Sequence, residues 1–196
     1  VFPARSVAVR RMVKGKSTKR SSINAATVTA ALRERGIQHL SEAGEEELWV
    51  IADLSELRKP DAQAMPDMME VLALNGGLVS GYRTLNVLGL VPSRRGILYH
   101  RLFSSKEESF LSESLEIQTA LQTVKQSLDK QKQHQSVTWI TDTGFDDVAV
   151  WRTIWEQEQH VVCRLKHKER LIKHQDERGQ WVKGDVQRAR QQLHGL

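Results

Sequence analysis

Leu48-Trp49-Val50-Ile51-Ala52-Asp53-Leu54-Ser55-Glu56-Leu57-Arg58-Lys59-Pro60 is the stretch that decides how the rest of the chain reads. Its first five residues form a short unbroken apolar run, as a buried strand does. Asp53 follows at the strand's exit. Val137-Thr138-Trp139-Ile140-Thr141 repeats the arrangement and runs into Asp142, with Thr143-Gly144-Phe145 beyond. Two strands that each deliver a carboxylate at their end can set both acids at one edge of a sheet. A single aspartate in such a place also serves as a cap for the following turn or helix. Two of them, on strands whose order fits one fold, carry more weight.

Composition bounds the class. The chain has 196 residues, is 39% apolar and carries a formal charge of +5. That length suits one good-sized domain or a domain with an appendage. The basic balance suits a polyanionic partner, although many soluble domains are equally basic. One cysteine excludes an internal disulfide and fits a reducing compartment. No apolar stretch is long enough to span a bilayer, and no secretory signal pattern is present. The chain starts at Val1 and stops at Gly195-Leu196, so both ends read as cuts from a longer protein.

Residues 1–22 are basic, with Arg10, Arg11, Lys14, Lys16, Lys19 and Arg20 crowded together. They read as a solvated tail or a DNA-contacting arm. Ser22 or Asn24 can cap a helix over Ala25 to Arg35, closed by Gly36. After the first strand, a short helix is expected over Asp67 to Leu74, ended by Asn75-Gly76-Gly77. Val79 to Leu90 and Ile97 to Phe103 read as a hairpin about the turn Pro92 to Gly96. Ser105-Lys106-Glu107-Glu108 has the form of a capping box opening a long helix. Phe110, Ile117, Leu121, Val124 and Leu128 recur along that helix as its buried face. A helix over Asp146 to Gln159, with Val148, Trp151 and Trp155 inward, and a strand over His160 to Leu165 complete the pattern. Leu171-Ile172 and Trp181-Val182 flank a further hairpin turn.

A hairpin followed by alternating helices and strands gives a mixed sheet with helices against it. The expected class is α/β, a ribonuclease-H-like mixed sheet, with the start of an inserted β region at the C-terminus. The expected division is a basic N-terminal segment and helix over residues 1–44, a core over 45–170 and a partial β insertion over 171–196. In that fold one acid lies on the first strand and the second just after the fourth, the places held by Asp53 and Asp142.

The chemistry follows from the residue types. Phosphodiester cleavage needs an activated oxygen nucleophile and a stabilised leaving oxygen, and two divalent ions about 3.5–4 Å apart can supply both. Mg²⁺ takes hard oxygen ligands and keeps several waters, so a few carboxylates suffice. Two carboxylates 4 Å apart repel by about 4 kcal/mol at an effective dielectric near 20, and by less where water screens them. A cation turns that repulsion into attraction. Asp53 and Asp142 are therefore the candidate metal ligands and catalytic residues. Arg58, Lys59, Arg94, Arg95, Arg164 and Lys166 are the candidate DNA-phosphate contacts. Each is also readable as a solvated charge. Asp146 and Asp147 read as caps and surface residues. Cys163, His167 and His174 match no zinc spacing. Neither a G-x-S-x-G elbow nor a phosphate-binding loop is present. Trp139, Trp151 and Trp155 read as core.

These residues resemble insertion-sequence DDE transposases of the bacterial type with a β-strand insertion in the catalytic domain. The run Asp53 to Met65 reads D-x-S-x-x-x-K-P-x-A-x-x-M and is similar to the family's first catalytic block. Gly81-Tyr82, Phe110 to Glu113, Asp142-Thr143-Gly144-Phe145 and Val161 to Lys166 follow in family order. The resemblance implies Mg²⁺-dependent nicking and strand transfer at transposon ends, with Mn²⁺ as a substitute. It implies DNA ends and target as partners, a homodimer in a synaptic complex, no membrane, and a cytoplasmic, nucleoid-associated location. Thr143 departs from the family's usual arginine. The family's third acid, a glutamate within a Tyr-Arg-Glu-Lys type of signature, has no match here, so the chain is expected to be truncated before it. Two alternatives stand beside this reading. One is another ribonuclease-H-like nuclease using Glu113 or Glu116. The other is an inactive DNA-binding remnant.

Overall fold

The structure is a computed structural model that describes residues 24–62, 64–131, 136–167, 171–175 and 178–185. The basic stretch read over residues 1–22 lies outside them. Helix α1 (Ala25–Ser41) starts at Asn24, whose side-chain oxygen accepts from Thr27 N at 2.8 Å. Strands β1 (Glu47–Arg58), β2 (Met69–Leu72), β3 (Leu78–Val91) and β4 (Arg94–Phe103) follow. Helix α2 (Glu113–Asp129), β5 (Ser136–Thr141), a 3₁₀ turn (Thr143–Phe145), α3 (Val148–Trp155) and β6 (His160–Cys163) complete the main body. The hairpin expected near residue 176 is β7 (Leu171–Gln175) with β8 (Trp181–Asp185), a separate two-stranded sheet.

The main sheet runs β2-β3-β1-β5-β6, with β4 also on β3. β2 pairs with Leu78–Gly81 and β4 with Arg83–Val91, so the two share one edge of β3 end to end. β1, β3 and β4 form an antiparallel meander; β5 and β6 run parallel to β1. With β2 set aside, this is the ribonuclease-H-like mixed sheet expected from the sequence.

Alternation decides which face is core. On β1, Leu48, Val50 and Ala52 are buried while Trp49 and Asp53 are exposed. On β5, Val137, Trp139 and Thr141 are buried. These residues, with Leu85 and Val87 of β3, form one cluster with Ile37 and Leu40 of α1, Ile117, Leu121 and Val124 of α2, and Val150, Trp151 and Ile154 of α3. All three described helices therefore pack on the same face of the sheet. A register shift at Val87/Leu88 leaves both Leu98 and Tyr99 of β4 in that core. Trp139, fully buried, donates its ring N–H to Gln159 Oε1 at 2.7 Å, which satisfies a group that would otherwise be stranded. At the rim, Arg101 pairs with Glu107 at 2.9 Å and Glu116 at 3.3 Å, tying β4 to α2. Burial alone would lower the Arg101 pKa. The Glu116 hydrogen bond and the charges of Glu116 and Glu107 outweigh it and raise the pKa.

Several expectations need correction. Asp53 is not at the exit of β1 but inside it: the strand continues to Arg58 because the long β3 pairs with it as far as Gly81. No helix forms over Asp67 to Leu74. Met69–Leu72 is a strand folded back on β3, and Asn75-Gly76-Gly77 turns a hairpin rather than ending a helix. The Ser105 to Glu108 box closes a turn, with Glu107 accepting from Ser104 N, whereas α2 is capped by Ser112 through Leu115 N. Val148 and Trp155 are exposed: α3 is short, and it turns Val150, Trp151 and Ile154 inward instead.

Gly36 does not end α1, which runs on to Ser41. Its role is contact. A Cβ at Gly36 would lie 2.2 Å from the Ile97 carbonyl oxygen, and one at Gly96 would lie 2.7 Å from the Gly36 oxygen. Helix and strand backbones thus meet directly. Gly36→Ala gains about 1 kcal/mol of helix propensity but must push α1 off β4, a misfit worth about 1–3 kcal/mol or more. Urea unfolding should show Gly36→Ala to be destabilised by up to about 2 kcal/mol; a rise in stability would show that the backbone contact is not needed.

Candidate functional site

Parallel pairing fixes where the two acids go. Ala52 of β1 is in register with Thr141 of β5. Asp53 and Asp142 are the next residues along, on neighbouring strands about 4.8 Å apart. Both are exposed. Asp142 keeps an extended backbone (φ −89°, ψ −170°), so strand alternation carries it, like Asp53, to the face opposite Ala52 and Thr141. The structure therefore brings Asp53 and Asp142 together on the face that no described helix covers, at the carboxyl end of β5. In open α/β sheets that is where ligands bind.

Each carboxylate is held by one oxygen. Ser55 Oγ donates to Asp53 Oδ2. Gly144 N donates to Asp142 Oδ1 at 2.9 Å, which makes Asp142 the cap of the 3₁₀ turn. Among the described residues, Asp53 Oδ1 and Asp142 Oδ2 accept no hydrogen bond. Two partly oriented carboxylates with open oxygens suit a hard cation that keeps most of its waters. Among the described residues no group of three or more His, Cys, Asp or Glu side chains is placed to hold a metal. The donor set thus fits Mg²⁺ or Mn²⁺ held by two carboxylates, with the other positions left to water and substrate oxygens.

Other acids lie elsewhere. Glu113 pairs with Arg83, and Glu116 with Arg101, on the helix-covered face. Asp147 caps α3 through Ala149 N at 2.8 Å. Asp146 Oδ2 accepts from Lys166 N at 2.7 Å and His167 N at 2.9 Å, pinning the segment after β6. Cys163 is partly buried, with Sγ 3.4 Å from Asp142 O.

The six candidate basic residues sort into two groups. Arg58 donates to Leu72 O at 2.5 Å and lies 3.7 Å from Glu56. Arg94 donates to His39 O at 2.9 Å and Glu42 at 2.8 Å, at the end of α1. Lys59 is partly buried beyond β1, its backbone N bonded to Ser80 O. Arg95, Arg164 and Lys166 are exposed. Arg164 continues β6, donating its backbone N to Thr141 O at 3.1 Å, and so stands beside Asp142. The sequence reading passed over Asn86, which pairs with Asp53 across β1 and β3, and His100, which pairs with Asn86 across β3 and β4. Strand alternation would have placed both, had the register been known.

No family model matches the chain, and no curated protein matches it. Solved structures do. A Mos1 strand transfer complex is similar at 15% identity and a TM-score of 0.35, over 80% of this chain and 48% of that one. A piggyBac transposase synaptic complex with hairpin DNA is similar at 10% identity and a TM-score of 0.42, over 82% and 40%. The catalytic domain of Mos1 mariner transposase is similar at 14% identity and a TM-score of 0.37, over 75% and 65%. The chain spans about half the length of the Mos1 complex chains it matches, 48% and 52% for two of them. Identities and TM-scores this low assign no family.

Asp142 has a structural task that can be separated from its charge. Asp142→Asn keeps the oxygen that receives Gly144 N and should leave stability within about 0.5 kcal/mol of the parent. Asp142→Ala removes the cap and should lower it by about 0.5–2 kcal/mol. Chemical denaturation of the two variants reads the difference. Equal losses in both would show that the cap is not what the side chain supplies.

Proposed function

We propose that this chain is the catalytic core of a DNA transposase of the DDE type, acting on phosphodiester bonds with a divalent metal held by Asp53 and Asp142. One observation carries the reading: two exposed carboxylates, one within β1 and one just past the end of the parallel β5, stand side by side, each with an oxygen free of protein partners among the described residues. Mg²⁺ or Mn²⁺ bound there would supply a Lewis acid for the phosphoryl oxygens and for the attacking hydroxyl. The protein's own part is positional. Ser55 and Gly144 orient the two carboxylates, and the exposed Arg164 stands one strand beyond Asp142 with its charge available to a phosphate.

Within this reading the chain is of the insertion-sequence type, and β7 and β8 begin the inserted β region. Its partners are transposon ends and target DNA, brought together by two copies of the protein in a cytoplasmic, nucleoid-associated complex. Two acids bind metal but supply an incomplete set, since no third acid stands beside them among the described residues. Residues 1–196 are therefore expected to bind Mn²⁺ without cleaving DNA efficiently. Mn²⁺ titration followed by electron paramagnetic resonance tests this. Asp53→Asn and Asp142→Asn should each weaken binding about tenfold or more, as the loss of a charged oxygen ligand does. Binding unchanged in both folded variants would end the metal reading. Efficient cleavage by the parent, abolished by Asp53→Ala, would show that the acid set is complete after all.

A further inference from the structure

The uncovered face carries a polar row that crosses five strands. His100, Asn86, Asp53, Asp142 and Arg164 occupy neighbouring register positions on β4, β3, β1, β5 and the end of β6. At about 4.8 Å per strand gap the row is roughly 19 Å long. Below it lies an apolar row of Ile97, Leu88, Ile51, Ile140 and Val162. Four of these are well exposed, from 36% at Ile140 to 60% at Val162.

Hydrogen bonds at one end of the row have a forced polarity. The Ser55 carbonyl can only accept, so Thr84 Oγ1 donates to it at 3.3 Å. Thr84 Oγ1 is then the acceptor for Asn86 Nδ2 at 3.2 Å. That orients the Asn86 amide with Oδ1 toward His100 Nδ1, 2.8 Å away. An amide oxygen cannot donate, so Nδ1 carries the proton. The ring is thereby fixed in one tautomer, with Nε2 free of any partner among the described residues. Ordering an exposed imidazole through this chain of hydrogen bonds opposes its conformational entropy.

We propose that His100 is a phosphate contact for a DNA strand laid across this row, two strands from Asp53 and three from Asp142, with Asn86 and Thr84 positioning its ring. The inference rests on the reading of Asp53 and Asp142 as a site acting on DNA. A phosphate beside the ring favours the imidazolium, whose Nε2–H then donates to a phosphate oxygen while Nδ1–H stays on Asn86. The neighbours of His100 on this face are Asn86 and Thr84 of β3 and Ile97 and Leu102 of β4, all uncharged. The charged groups on the same face lie farther off: Asp53 on β1, Asp142 after β5, Arg164 after β6 and Arg95 along β4. The helices pack on the other side. An amphipathic polymer suits both rows, with its phosphates on the polar one and its sugars and bases on the apolar one. Arg164 at the far end gives the strand a second cationic hold.

Fluorescence anisotropy with a short labelled DNA of mixed sequence, as duplex and as single strand, tests the contact on intact 1–196 at about pH 6. His100→Ala should weaken binding about three- to tenfold and make the salt dependence shallower by close to one ion. His100→Arg should restore both, and Asn86→Leu should show part of the loss. Mn²⁺ affinity and melting temperature should stay with the parent in all three. Unchanged affinity and salt slope in His100→Ala would overturn the contact, and so would a loss that His100→Arg fails to rescue or that tracks a fall in melting temperature. Those results leave the metal reading standing if Asp53→Asn still weakens Mn²⁺ binding. A His100 effect in a protein whose Mn²⁺ binding ignores both aspartates would support the contact and sink the metal reading instead.

Discussion

Parallel pairing of Ala52 with Thr141 is the constraint on which the candidate site depends. Side chains on a strand alternate with a period of two, so a slip of one residue would send Asp53 into the core and Ala52 to water. What holds the register is burial on the opposite face. Leu48, Val50 and Trp139 are completely buried, and the Trp139 ring N–H has its own partner in Gln159. A slipped register would expose that apolar set and bury a carboxylate at the same time, and a buried unpaired charge is among the least tolerated changes in a protein. The apolar face thus sets the geometry of the polar one.

The division between the faces is unusually complete among the described residues. All three helices contribute to a single core on one side. The Gly36–Gly96 approach lets α1 settle onto the backbone of β4 with no side chains between them. No described helix covers the other side. β5 ends at Thr141 while β1 continues to Arg58 with β3 as its partner. Asp142 therefore sits where the sheet steps down from five strands to a shorter meander. Backbone leaves the sheet at that step, so a carboxylate placed there can be approached from above and from the side.

Much of this was legible in the sequence, and the misses have physical causes. The two apolar runs gave β1 and β5 at once, because a buried strand leaves a composition signal that needs no partner to be read. The buried face of α2 was equally plain from Ile117, Leu121, Val124 and Leu128. Local signals with two uses misled. Asn75-Gly76-Gly77 stops a helix or turns a hairpin, and here the pairing of Met69–Leu72 with β3 chose the hairpin. Gly36 looks like a helix end in one dimension and is a contact point in three. Asn86 and His100 left no signal at all, since their meaning comes from register across three strands.

Charge shows the same difference between composition and placement. A net +5 says little, because many of the cations are spoken for. Arg83 faces Glu113, Arg101 faces Glu107 and Glu116, Arg94 faces Glu42 and the end of α1, and Arg58 faces Glu56 and a β2 carbonyl. These pairs are partly exposed and individually weak, but they hold each guanidinium away from any external anion. Arg95 and Arg164 have no such partner among the described residues. Both stand on the uncovered face, Arg164 beside Asp142 and Arg95 farther back along β4. Neither arginine makes an ion pair that ties one element of the fold to another among the described residues. On the proposed function, a strongly anionic partner would complete the charge balance of that face.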